Sequence, residues 1–301
     1  MLVRIFYFKE KEMIVLENDK IKANIALFGA ELTKLYSKET QLDYLWHGDP
    51  KFWKRHAPIL FPIVGKLKDH TYYVADKKYN LPQHGFARDN EFVIISQSEN
   101  KVLFELSSSE RTLEIFPYKF KLQIAYELKE NILKIIYQVI NVDNQSIFFS
   151  IGAHPAFKCP LVNNTTFADY YIAFQHQENP LQYSLNKENG LRIEKPSTVE
   201  LPTKLSLDYA LFEDDALIYK NIKSNIISLQ SSKHKHGINF HCSNWEYFAF
   251  WTKKEAPFIC FEPWMGAADL ETTNQDFTTK DGIIELPVNK EFKQYYAVEL
   301  F

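Results

Sequence analysis

The sequence predicts an all-β protein, a large antiparallel β-sandwich. Three observations carry that expectation. Apolar and polar residues alternate with period two along most of the chain, aromatic residues make up 15% of it, and polar turn clusters separate the apolar runs. Rings pack well on pleated surfaces, and many short strands without intervening helices favour a sandwich over a parallel α/β sheet.

The strands can be read in order. "IKANIAL" places Ile21, Ala23 and Ile25 on one face, and "KVLFEL" does the same with Val102, Phe104 and Leu106. "FKLQIAYEL" aligns Phe120, Leu122, Ile124, Tyr126 and Leu128. "NILKIIYQVINV" is apolar on both faces and predicts a central strand covered on two sides. The turns between such runs are "VDNQ", "VNNTT", "KENG" and "TKDG". No amphipathic helix longer than two turns is predicted; "SLDYALFEDDALIY" is the one ambiguous stretch. With no Pro/Ser/Gly-rich linker and no internal repeat, residues 1–301 read as a single domain, with 1–12 as an N-terminal appendage because connected strand-like sequence begins at Met13.

Composition narrows the function. The 301 residues are 46% apolar and 24% charged, a soluble globular balance. A net charge of −3 without a basic stripe argues against nucleic-acid or membrane partners. The N-terminus has charges within its first ten residues and no long apolar core, so neither a signal peptide nor an anchor is expected. The three cysteines, Cys159, Cys242 and Cys260, are odd in number and lack CxxC spacing, which points to a reducing, cytoplasmic setting without disulfides or structural zinc. Phosphate-cradling glycine motifs and a GxSxG elbow are missing from the sequence, and glycines number only 9. That counts against kinases, dehydrogenases and α/β-hydrolases, and no cofactor or metal is expected.

Two polar residues share an unusual setting. His154 in "GAHPAF" and Glu262 in "FICFEPWMG" each follow an apolar run and precede a proline. Residues before proline are held extended and the proline supplies no ladder donor, so both side chains are expected at strand ends. Gly152 and Ala153 are expected to leave ligand space beside His154. His84 in "LPQHGFARD" is a third candidate, with Gly85 permitting a tight turn and Arg88 four residues on. Lys66 and Lys68 sit in an apparent turn, "IVGKLKD".

Blander readings compete with each. A lone histidine is usually structural, His84 suits a turn, and Glu262 suits a buried ion pair, since a carboxylate there needs a partner or a function. His234 and His236 in "SSKHKHG" are most simply solvated, and Trp264 is core unless it forms a sugar platform. A Glu–His pair nonetheless suits general base and acid roles worth roughly 10²–10⁴-fold in rate. That suffices for opening a sugar ring. It is thin for metal-free phosphoryl transfer, and glycosidases normally need two carboxylates.

Five motifs in order, "LWHGDPKFWKRHAPILFPIVGKL", "LPQHGFAR", "SIGAHPAF", "ALFEDDALIY" and "PFICFEPWMGAAD", resemble the aldose 1-epimerase (galactose mutarotase-like) family. Within it the chain is most like the branch associated with bacterial lactose operons, from Met13 to the C-terminus. The resemblance implies a many-stranded β-supersandwich and metal-free interconversion of α and β anomers of an aldose sugar. It implies Glu262 as general base, His154 as general acid and His84 as a hydrogen-bond partner polarising the ring oxygen. Arg88 would join the sugar contacts. Lys66 stands where characterised galactose mutarotases carry arginine, and a lysine cannot reproduce a bidentate fork. The family's sugar-binding aspartate could be Asp208 or Asp215. A hexose-6-phosphate 1-epimerase, suggested by Lys54, Arg55, Lys66, Lys68 and Arg88, and a non-catalytic sugar-binding protein remain alternatives. The protein is expected to be a monomer or homodimer.

Overall fold

The structure, a computed structural model, describes residues 13–301; the appendage expected at 1–12 lies outside the described residues. Among the described residues the strands form antiparallel sheets of nine, eight and four strands and two two-stranded ribbons. The chain is thus all-β, as expected. Phe240 of the nine-stranded sheet packs on Phe248 and Phe261 of the eight-stranded sheet, with ring centroids 5.6 and 5.7 Å apart. These inner faces make the sandwich. One apolar cluster runs from Leu16 to Leu300.

The predicted faces are buried. Ile21, Ala23, Ile25, Val102, Phe104, Phe120, Leu122 and Ile124 are at most 1% exposed. Each fully buried large side chain contributes about 1.5–3 kcal/mol before entropy is counted. The strand Ile132–Asn141 is central, between Phe120–Lys129 and Glu291–Leu300, but its second face is only half-buried. Lys134 and Gln138 alternate there with Ile132, Ile136 and Ile140, and their polar ends reach water. The ambiguous stretch resolves into a 3₁₀ turn, Tyr209–Phe212, followed by the strand Leu217–Lys220. The single described α-helix, Glu110–Ile115, is shorter than two turns and is capped by Ser109. No described helix is long and apolar enough to cross a membrane.

The strand Phe258–Met265 sets up the site. Its odd residues Ile259 and Phe261 join the main core, so its even residues Cys260, Glu262 and Trp264 share the opposite face. On one side it pairs with Tyr247–Trp251, with Ala249 opposite Glu262. On the other it meets two short strands in succession, Ile151–Ala153 and Ala156–Lys158.

Candidate active site

His154 occupies the break between those two short strands. Gly152 lies opposite Trp264 and Ala156 opposite Cys260, so the same register carried through the gap sets His154 directly across from Glu262. The break has a cause. The Phe261 N–H donates to the Pro155 carbonyl at 3.0 Å, and two residues on, facing the same way, Pro263 has no N–H to give. His154 is therefore at a strand end, as expected. Glu262 is not: its strand continues to Met265, because Pro263 removes a donor from one edge only and still sits opposite Phe248 on the other.

Nε2 of His154 lies 3.2 Å from Oε2 of Glu262. Both are buried, at 8% and 1% exposure. Burial, then the charge of Arg88, lowers His154 to a pKa of about 3. Burial, then the neighbouring Asp215, raises the Glu262 carboxyl well above the usual range. Both directions favour a neutral pair holding one proton. Trp53 stacks on the His154 ring at 4.8 Å with 27° between planes, and Trp251 meets it edge-on at 5.6 Å.

The Gly152–Ala153 pair does not leave ligand space. A Cβ on Gly152 would stand 2.6 Å from Cδ1 of Trp264, so the indole fills that room. Trp264 in turn lines the cleft.

His84 stands beside the pair, its ring centroid 5.7 Å from that of His154. Its Nδ1 accepts the Gly65 N–H at 3.1 Å, which leaves the proton of the neutral ring on Nε2. Burial and the Arg88 charge keep that ring neutral by lowering its pKa. Its φ of 64° is left-handed, as is that of Gly85 at 68°, where a Cβ would lie 2.3 Å from the Phe61 carbonyl oxygen. Two successive left-handed residues form the tight turn that turns His84 inward.

The cleft has a volume of about 370 Å³, within the usual range for small-molecule sites, about 300–1,000 Å³. Its lining includes Lys66, His84, Arg88, His154, Asp215 and Glu262. Asp208 is elsewhere: its Oδ1 caps the 3₁₀ turn by accepting the Ala210 N–H at 2.8 Å. Of the two aspartates, Asp215 is the one that lines the cleft, and its φ is 82°. Aspartate tolerates that left-handed backbone better than most side chains do. Lys68 turns away to the Glu271 carbonyl at 2.8 Å, and Lys54 is exposed outside the lining.

Sequence reasoning assigned no site role to Trp53, Trp251, Gln83 or Lys253, all of which line the cleft. The positional signal for Trp251 was its place two strand positions from Ala249, opposite Glu262. Arg55 reaches Asp89 at 2.9 Å, and Arg88 donates to the Gln83 carbonyl at 2.6 Å. Burial and Arg55 lower the Arg88 pKa to about 10. His234 is not merely solvated, since its Nε2 lies 2.8 Å from the Tyr170 hydroxyl. Among the described residues, polar atoms of His154, Cys260 and Glu262 lie within 4.8 Å of one another, close enough to share a cation.

The chain is 33% identical over 271 residues to the chromosomal protein LacX of Lactococcus lactis subsp. lactis, covering 87% of this chain and 90% of that one. A galactose mutarotase-like protein from Lactobacillus casei superposes with a TM-score of 0.89 at 35% identity, covering 96% of this chain and 100% of that one. The galactose mutarotase related enzyme from Lactobacillus acidophilus gives a TM-score of 0.92 at 30% identity over 96% and 97%. The aldose 1-epimerase family model matches residues 12–282. The chain belongs to the aldose 1-epimerase family.

Proposed function

We propose that this protein is a mutarotase, interconverting the α and β anomers of an aldohexose by acid–base ring opening and closing. The observation that carries it is the buried His154–Glu262 contact of 3.2 Å on the floor of a sugar-sized cleft. Glu262 as carboxylate takes the proton of the anomeric hydroxyl while His154 as imidazolium gives one to the ring oxygen. The C1–O5 bond breaks and C1 becomes a carbonyl. After rotation about C1–C2, the O5 hydroxyl attacks the other carbonyl face, His154 recovers its proton and Glu262 returns the other. The pair holds one proton at every stage. The neutral form favoured in the empty cleft is the form it has while the ring is open. In this reading His84 Nε2–H, left as the donor by the Gly65 N–H on Nδ1, donates to the substrate near the ring oxygen, and Trp53 stacked on His154 limits water at the pair.

A second reading is supported by the cations. Arg55, Lys66, Arg88 and Lys253 line the cleft, and the side chains of Arg55 and Arg88 are only 19% and 15% exposed. Such groups suit an anionic substituent, as in a hexose 6-phosphate. We place the protein in the cytoplasm, acting on a free small sugar as a monomer or homodimer.

Polarimetry on freshly dissolved α-glucose and α-galactose tests the first reading, with coupled assays on α-glucose 6-phosphate alongside. Acceleration that disappears in Glu262→Gln supports mutarotation. A preference of about 100-fold or more for the phosphate, some 2.7 kcal/mol, replaces it with the second reading. Sugar binding without acceleration in the wild type leaves a non-catalytic binding protein and defeats both.

A further inference from the structure

We infer that His154, Cys260 and Glu262 form a capture site for a thiophilic divalent cation, zinc being the ordinary example, and that occupation switches off the proton-handling pair. Cys260 and Glu262 are two apart on Phe258–Met265 and share a face, and His154 stands across from Glu262. All three residues are buried, and their ligand atoms lie within 4.8 Å of one another. Tetrahedral zinc, bonded at about 2.3 Å to sulfur and 2.0–2.1 Å to nitrogen or oxygen, sets its donors about 3.3–3.6 Å apart. The three side chains close to that spacing by shifts of about 1 Å, within reach of small side-chain rotations.

Charge favours the same ion. A thiolate, a carboxylate and a neutral imidazole together balance a dication, so the buried site would be neutral when occupied. The mixed S, N, O donor set selects zinc-like ions over magnesium or calcium, which take oxygen. Among the charged groups near the pair, Asp215 favours the cation and Arg88 and Arg55 oppose it. His154 and Glu262 line the cleft, so a cation and a fourth ligand would enter from that side. Cys260 itself lies deeper, packed with Trp46, Ala156 and Phe258. A core thiol needs no such convergence of donors. A bound cation would occupy both the base and the acid at once, so it would compete with the sugar.

The test uses the full-length, reduced, metal-stripped protein and cobalt(II) as an optical probe, a readout independent of whether the chain is an epimerase. The expected result is one cobalt per chain with a thiolate-to-cobalt charge-transfer band, displaced by one equivalent of zinc. Cys260→Ala is expected to lose the band and bind zinc at least about tenfold more weakly while keeping its mutarotation rate, and its activity is correspondingly less sensitive to zinc. Cys260→Ser serves if the alanine variant does not fold. Cobalt binding without the band, or zinc affinity unchanged in the folded variant, overturns the proposal.

Discussion

His154 faces Glu262 across a missing rung of the sheet, Nε2 to Oε2 at 3.2 Å, with ladder pairs intact on either side at Gly152–Trp264 and Ala156–Cys260. Neighbouring strands hold both backbones, so side-chain replacement at either position leaves the scaffold in place. Glu262→Gln and His154→Asn are each expected to lower the mutarotation rate by about 10²–10⁴-fold. The double variant should fall little further if, as proposed, the base and the acid act in the same ring-opening step as a unit. Polarimetry on the three variants measures this. Multiplicative losses would show that the residues act independently.

Asp208 and Asp215 are expected to separate cleanly. Asp208→Ala removes a helix-turn cap, costing about 1 kcal/mol of stability with an unchanged rate. Asp215→Asn keeps a residue that tolerates left-handed backbone but removes the charge that pushes Glu262 up. Easier ionisation of Glu262 should then move the alkaline limb of the rate profile to lower pH. Sugar affinity should fall roughly tenfold, the loss of one hydrogen bond to a charged group. An identical response of the two variants would remove Asp215 from the site.

Much of this was legible in the sequence because burial follows side-chain alternation. Period two alone placed Phe104, Phe120 and Ile124 in the core. Proline marked His154 and Glu262 by local backbone constraint, which needs no tertiary knowledge. The same mark misplaced Glu262 at a strand end, since sequence does not tell which edge of a strand lacks its donor. Gly152 was read as making room for ligand, whereas the room is filled by Trp264 from the neighbouring strand. Trp53 and Trp251 carried no local signature in a chain with 15% aromatic residues. Their role arises only where a loop and a strand end close over one imidazole.

Gly152→Ala should show that Trp264 is held in place by the absent side chain. The new Cβ would meet Cδ1 of Trp264 at 2.6 Å, Cγ2 of Val64 at 3.2 Å and Cδ1 of Leu60 at 3.3 Å. Overpacking of this kind typically costs about 1–3 kcal/mol. The indole is the neighbour with cleft space to move into, so kcat/KM should fall at least about tenfold. Denaturant melts and polarimetry give the two numbers, and a stable variant of full activity would refute the packing role.

A buried charge pair anchors the cleft wall. Lys280 Nζ lies 3.3 Å from Asp269 Oδ1 and donates to the Ala267 carbonyl at 2.6 Å, with both side chains 3% exposed. Asp269 also accepts the Lys68 N–H at 2.9 Å, and its own N–H donates to the Lys66 carbonyl at 2.9 Å. Lys280→Met leaves that carboxylate buried and unpaired, an expected loss of about 3–5 kcal/mol. Adding Asp269→Asn should restore part of the stability while KM stays raised, because the Lys66 turn remains loosened. Equal stability of the single and double variants would show that the charge pair is not the cause.

The buried pair should also make stability depend on pH, with opposite slopes from its two members. Glu262 holds its proton more tightly folded than unfolded, so its contribution is complete below about pH 4.5 and is lost as pH rises toward its raised folded value. His154 behaves oppositely: its contribution is complete above about pH 6.5 and is lost as pH falls toward its folded value of about 3. Glutamine at 262 has no proton to lose. The melting temperature of Glu262→Gln should therefore exceed that of the wild type by a margin that widens from pH 5 toward pH 9, although its mutarotation rate is expected to be lower. The rate profile of the wild type should correspondingly lack an acid limb near pH 6.5, because the pair keeps its single proton down to about pH 3. Melting curves of the two proteins across that range decide the matter: a margin that stays constant or narrows with rising pH would mean that Glu262 is ionised in the empty cleft.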